Sequence, residues 1–316
     1  MSYKNNSIAV VIPYYNASQH IVNVVQKLPH FIDEIIIVDD KGREKLPLAK
    51  LHDLSTSALI SVIENERNLG VGGATKNGFL RSIDNNHDIV IKVDADDQMD
   101  TSYVEEMINY LISDKAEMVK GNRFINTKAL MKMPIVRRVG NLGLSFLTKA
   151  ATGYWNNFDP TNGFLAIKTS ALKKINFDNL SERYFFETSL ISEFYFINGR
   201  IKDISMPAIY GEEKSSMKVW KMPLIFSKKL ISLFFKRIIK QYFLFDFNIA
   251  SLYIVVGLPL FLFGVIYGLY EWWFYSSQDL YAPTGTIMLV SLSIILGFQL
   301  LLQAIQYDIF NAPKAK

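Results

Sequence analysis

Cysteine is absent from the 316-residue sequence, which excludes disulfides, thiolate zinc sites, iron–sulfur clusters and cysteine nucleophiles. Histidine is scarce: His20, His30, His52 and His87 are scattered and share no metal-ligand spacing. Any metal therefore falls to oxygen donors, and a hard divalent cation is the expected kind. A secretory leader is not expected at the start, because residues 1–7 are polar and the apolar run at residues 8–13 is only strand length.

Charge is also missing, but only from one region. Residues 1–240 hold 32 Lys and Arg against 26 Asp and Glu, whereas residues 241–316 hold 2 against 4. Inside that basic gap lie two uncharged runs, residues 249–270 and 284–307. As helices they would be about 33 and 36 Å long, enough to cross a hydrocarbon core of about 30 Å. The competing reading is a helix pair buried in a soluble core. Between the runs, residues 271–283 carry Trp272, Trp273, Tyr275 and Tyr281, the aromatics of a membrane interface. Eight basic residues and no acidic one occupy residues 214–240, and the tail ends in Lys314 and Lys316. Positive-inside logic then puts the N-terminal part and the C terminus in the cytoplasm. Residues 224–243 pattern as an amphipathic interface helix, with Leu230, Ile231, Phe234, Phe235, Ile238 and Tyr242 on one side and Lys228, Lys229, Lys236, Arg237 and Lys240 on the other. The expected division is a catalytic domain over 1–220, interface helices over 221–247 and a two-helix anchor over 248–316.

The first part reads as alternating strands and helices. Residues 7–13, 34–38, 58–63 and 88–93 are short β-branched runs, with helical segments around 18–28 and 74–83. This alternation argues for an α/β domain with a mostly parallel sheet, whose ligands bind beyond the carboxyl ends of the strands. Those ends carry Pro13, Tyr14, Tyr15 and Asn16, then Asp39 and Asp40, then Asp94, Asp96, Asp97 and Gln98. Asp94 and Asp96 are two apart, so on extended chain their carboxylates point the same way. Such a pair suits Mg²⁺ or Mn²⁺ bridging a diphosphate, with Gln98 as a neutral addition. Capping of the next helix, with Ser102 and Glu105 as a capping box, explains residues 97–102 but gives no use for Asp94 or Asp96. The glycine stretch at residues 68–76 could bring backbone near a nucleotide, but it matches neither a P-loop nor a dinucleotide fingerprint.

Together these pieces resemble the inverting family 2 glycosyltransferases of GT-A fold, and among them the polyprenyl-phosphate glycosyltransferases of the dolichyl-phosphate mannose synthase type. The matching motifs run in family order: VVIPYYN (10–16), IIIVDD (35–40), NLGVGGATKNGF (68–79), VDADDQ (93–98), GNRF (121–124), RRVGN (137–141), DPTNGF (159–164) and YGEEKSSM (210–217). The resemblance implies that Pro13, Tyr15, Asn16, Asp39 and Asp40 contact the nucleotide, and that Asp94, Asp96 and Gln98 hold the metal and the diphosphate. It further implies that Arg123 lies beside the donor phosphates, that Arg137 or Arg138, with Lys214, meets an acceptor phosphate, and that Asp159 and Gly163 line the sugar site. Lys41–Glu44 departs from the serine or glycine common there, and Val71 replaces a frequent lysine. Expected partners are a nucleotide-diphosphate sugar, a polyprenyl phosphate and the membrane, with no nucleic acid; a homo-oligomer is compatible. An alternative is transfer to a lipid-linked glycan, whose hydroxyl acceptor needs a base, with Glu187 or Asp159 as the candidates. Processive polymer synthesis lacks its Gln-x-x-Arg-Trp signature, and an inert scaffold has no use for Asp94 and Asp96.

Overall fold

The structure, a computed structural model, describes residues 3–123, 135–157, 159, 162–207 and 222–315, with the side chains of 135–142 and 222–225 outside that set. The chain forms two compact units, one of residues 1–233 with 313–316 and one of residues 234–312.

The first unit is built on a seven-stranded sheet of β1 (Ile8–Tyr14), β2 (Glu34–Asp39), β3 (Leu59–Glu64), β4 (Ile89–Lys92), β5 (Met118–Asn122), β6 (Leu165–Lys168) and β7 (Ile201–Ser205). The strand order is β3-β2-β1-β4-β6-β5-β7. The first four strands pair in parallel, β6 runs antiparallel to both β4 and β5, and β5 pairs with β7 in parallel. Helices cover both faces, which is why β1 is an unbroken apolar run. Ile8, Val10, Ile12 and Tyr14 enter one core with α1 (Ile21–Gln26), α2 (Leu48–His52) and α4 (Val104–Ile112). Ala9 and Val11 enter the other with α3 (Gly70–Asp84), α6 (Thr169–Leu172) and α7 (Phe186–Phe196). Helix α5 (Ile135–Thr152) precedes β6.

The pattern of pairing opens a crevice. Pairing between β1 and β4 stops at Val11–Lys92, whereas β1 stays paired with β2 as far as Tyr14–Asp39. From β1 the chain builds to β2 and β3 on one side, then crosses back to place β4 on the other. The crevice therefore lies at a topological switch point. The cap before α4 differs from the expected Ser102–Glu105 box. Asp100 accepts from the Ser102 N–H at 3.0 Å and opens the 3₁₀ turn Thr101–Tyr103, while Glu105 accepts from the Tyr3 hydroxyl at 2.9 Å. A partner 102 residues distant takes the side chain that the box needed.

Helix α8 (Met222–Ile239) leads into the second unit, whose two long helices are α9 (Ile249–Ser277) and α10 (Thr284–Phe310). Both are long and apolar enough to cross a membrane, at about 44 and 40 Å. They leave most of their apolar side chains exposed, unlike the core helices of a soluble domain. Asn248 and Ser251 form a reciprocal capping box at the start of α9. A Cβ on Gly297 would lie 2.5 Å from the Phe261 nitrogen, so its absence lets the two backbones touch. Two expectations change here. Helix α9 continues past Tyr270, so Trp272, Trp273 and Tyr275 stand on its last turns and not in a loop. Arg237 is not on an exposed basic face: it is fully buried, and its guanidinium meets Asp308 of α10 at 2.7 and 2.9 Å, with the Tyr242 hydroxyl donating to the same carboxylate. A carboxylate 71 residues away turns an apparent surface cation inward.

Candidate active site

A cavity of about 650 Å³ lies at the switch point. Its wall is formed by Pro13 and Tyr14 at the end of β1, Tyr15, Asn16 and Ala17 after it, Asp40 after β2, and Asn68, Gly70, Val71 and Ala74 around the start of α3. Asp94, Ala95 and Asp96 after β4, with Arg183 and Tyr184 before α7, complete it. Three strand ends thus converge on one crevice, as the sequence predicts. Tyr15 is 52% exposed. Asn16 sits at φ +51°, and its Oδ1 accepts from the N–H groups of Arg43 and Glu44 at 2.6 and 3.1 Å, which fixes the loop after β2.

The two aspartates at the end of β2 divide their work. Asp40 is buried, accepting from Asn65 Nδ2 and the Leu69 N–H at 2.8 Å and from the Gly70 N–H at 2.7 Å. It satisfies the otherwise unpaired N-terminus of α3 and shapes the wall. Asp39 accepts from the Lys41 N–H at 3.1 Å and is not on the wall. The turn after β4 is held from outside. Asp97 adopts φ +59° and pairs with Lys27 at 2.7 Å, and Thr101 donates to the Lys27 carbonyl at 2.8 Å. Asp96 accepts from the Gln98 N–H at 3.1 Å; Gln98 itself is off the wall.

Beneath the cavity lies a charge cluster that sequence reasoning missed. Lys92, the last residue of β4, is fully buried, and its ammonium sits 2.6 Å from Asp94 Oδ1, 3.4 Å from Glu187 Oε1 and 3.4 Å from the Gly163 carbonyl. Burial works against the ammonium, but Asp94 and Glu187 outweigh it and raise the Lys92 pKa. Burial also pushes the Glu187 carboxyl up, with Lys92 opposing and Asp94 reinforcing. Glu187, in the first turn of α7, is therefore a buried partner of Lys92. Gly163 lies on this cluster: a Cβ there would be 2.4 Å from Lys92 Nζ and 2.9 Å from Asp94 Oδ2. A lysine inside an otherwise apolar strand, IVIK, was the available signal.

A second buried lysine supports the neighbouring loop. Lys120 of β5 donates to the Asp159 carbonyl at 2.8 Å and lies 3.4 Å from Asp203; burial lowers its pKa against these partners. Asp159 adopts φ +53°, and its carboxylate is gripped by Arg123, whose Nε and Nη2 donate at 2.7 and 2.9 Å. The structure thus pairs Arg123 with Asp159 and places neither on the cavity wall. Arg137 and Arg138 fall in the first turn of α5 with their side chains outside the described set, and Lys214 lies outside the described residues.

The glycine stretch acts through packing. A Cβ on Gly72 would lie 2.3 Å from the Ser181 carbonyl, and the Gly73 N–H donates to Glu182 O at 2.9 Å. These close approaches seat the segment before α7 against the start of α3, which brings Arg183 and Tyr184 to the cavity.

Among the described residues, no three or more His, Asp or Glu side chains cluster so as to enclose a metal. Of the three aspartates on the wall, Asp40 is taken up by Asn65 and the start of α3, which leaves Asp94 and Asp96 for a cation. Two carboxylates fit Mg²⁺ or Mn²⁺ of the kind that completes its shell with phosphate and water, and do not fit a site built wholly of protein.

Comparison with known proteins agrees with this architecture. The chain is 34% identical over 190 residues to the UDP-N-acetylglucosamine dolichyl-phosphate N-acetylglucosaminyltransferase of Methanococcus voltae, covering 56% of this chain and 75% of the relative. It is 21% identical over 215 residues to the undecaprenyl-phosphate mannosyltransferase of Micrococcus luteus, covering 66% and 87%. Among solved structures, glucosyl-3-phosphoglycerate synthase from Mycobacterium tuberculosis in complex with UDP superposes with a TM-score of 0.55 at 17% identity, over 74% of this chain and 80% of the other. That likeness shows the expected GT-A fold. Residues 9–176, just over half of the chain, match the profile of glycosyl transferase family 2, and the chain belongs to that family.

Proposed function

We propose that this enzyme transfers a hexose from a nucleotide-diphosphate sugar to a polyprenyl phosphate at the cytoplasmic face of a membrane, with inversion at the anomeric carbon. The observation that carries the reading is the pairing of Asp94 and Asp96 on a switch-point cavity, in a chain that also has two helices of membrane-crossing length. The name of the Methanococcus voltae relative supports a UDP-linked donor and a dolichyl-phosphate acceptor. In this reading Pro13, Tyr15 and Asn16 receive the nucleoside, while Asp94 and Asp96 hold the divalent cation. When bound there, a divalent cation would neutralise charge on the leaving diphosphate. A phosphate oxygen of the acceptor attacks the anomeric carbon as the bond from that carbon to the donor's diphosphate oxygen breaks, and the electron pair leaves on the nucleoside diphosphate.

The acceptor's own charge removes the need for a base. The engagement of both candidate bases favours a phosphate acceptor over a sugar hydroxyl: Asp159 is forked to Arg123, and Glu187 is buried beside Lys92. Arg137, Arg138 and Lys214 are retained as acceptor-phosphate residues on the resemblance alone. The basic residues before α9 and after α10 support the cytoplasmic placement. The test is incubation of the purified full chain and Mn²⁺ with radiolabelled UDP-, GDP- and dTDP-sugars and undecaprenyl phosphate. Label should enter the organic phase from one donor class. No lipid product from any donor, with label passing to a lipid-linked saccharide instead, would reject the reading.

A further inference from the structure

Arg183 is the single cationic side chain among the described residues that line the cavity. It is exposed, and its guanidinium has no hydrogen bond or ion pair among the described residues. Its backbone is nevertheless fixed: the Arg183 carbonyl accepts from the Phe186 N–H at 2.8 Å, and the adjoining Glu182 carbonyl accepts from Gly73. Its stem lies against Gly70, where a Cβ would come within 2.9 Å of Arg183 Cγ and where φ is +83°. The acidic wall residues do not claim it. Asp40 is occupied by Asn65 and the start of α3, and Asp94 by Lys92. Arg123, the arginine that the resemblance puts beside the donor phosphates, is gripped by Asp159 off this wall.

A held backbone, an unengaged guanidinium and a paired-carboxylate site in one cavity suit an anionic ligand that spans them. We propose that Arg183 binds the diphosphate of the nucleotide-sugar donor, neutralising charge that Asp94 and Asp96, with their cation, leave uncompensated. The assignment rests on the reading of the cavity as a nucleotide-sugar site. A guanidinium offers two parallel N–H donors to a phosphate, which lysine does not reproduce.

The test uses the full chain in detergent, titrated calorimetrically with UDP, GDP and dTDP in the presence of Mn²⁺, followed by donor and acceptor KM measurements. Arg183→Gln should weaken nucleotide binding about 10- to 100-fold and leave the KM for undecaprenyl phosphate unchanged. Arg183→Lys should fall between it and the wild type, and carries the test if the glutamine variant does not fold. Arg81→Gln, an exposed change on α3 outside the cavity wall, should match the wild type. Unchanged nucleotide affinity in both Arg183 variants, or a rise only in the lipid-phosphate KM, overturns the assignment. Wild-type nucleotide binding that depends on Arg183 but yields no lipid product rejects the proposed function and leaves Arg183 in place. Absence of binding by all three nucleotides rejects both.

Discussion

Removing the positive charge at Lys92 would leave the buried Glu187 carboxyl beside Asp94 without a cation. Lys92→Met is therefore expected to destabilise the folded chain by about 3–5 kcal/mol, the usual cost of breaking a buried pair from one side. It should also weaken Mn²⁺-dependent nucleotide binding, because Asp94 loses the contact that fixes its rotamer; thermal unfolding and calorimetry check the two effects separately. At this scale the sequence shows the residues that directly follow apolar strands. Pro13, Tyr15, Asn16, Asp40, Asp94 and Asp96 all reach the cavity wall. It offers Gly163 for the sugar site and Glu187 as a base, but not their contacts with Lys92, nor Arg183 on the wall; these join segments more than 60 residues apart in the chain.

Elements are joined at the opposite end of the strands by Glu34, the first residue of β2. It is buried and accepts from Ser61 of β3 at 2.6 Å and from Asn85 after α3 at 2.8 Å, and it lies 2.6 Å from His87 Nε2. Burial pulls its pKa upward, but the hydrogen bonds from Ser61, Asn85 and His87 prevail and hold the carboxyl below its usual range. A depressed carboxylate stabilises the fold above its unfolded pKa of about 4.3, and that contribution is lost as the pH falls through the lower folded value. Glu34→Gln should therefore lower the melting temperature at pH 7 and flatten its decline in acid; an unchanged acid slope would contradict this role. The strands on this side of the sheet are legible because β1 to β4 are apolar and followed by turn residues. Strands β5, β6 and β7 are not, since MVKGN, LAIK and IKDIS are short, carry lysine and pair out of chain order. The carbonyls of Asp159 and Gly163 are consequently held by Lys120 and Lys92, two buried lysines from different strands.

For the whole molecule, the uneven distribution of charge carries the topological argument. Absence of cysteine makes it directly testable, because a single introduced thiol is the only reactive one. Ser277→Cys, at the end of α9, should react with an impermeant maleimide added outside intact cells. Lys314→Cys, in the basic tail, should react only after the membrane is opened; the reverse pattern would invert the proposed orientation. The long apolar runs are visible in the sequence, but the burial of Arg237 against Asp308 is not, because the partner lies at the far end of the second run. The central claim is that Asp94 and Asp96 serve sugar transfer to a lipid monophosphate. Its most direct test is mass spectrometry of the lipid fraction after incubation of the full chain with Mn²⁺, a UDP-sugar panel and undecaprenyl phosphate. The wild type should form a lipid heavier by one sugar residue on a single phosphate, and Asp96→Ala should reduce it at least about 100-fold. A product bearing the sugar on an existing glycan, or lipid glycosylation undiminished in Asp96→Ala, would contradict it.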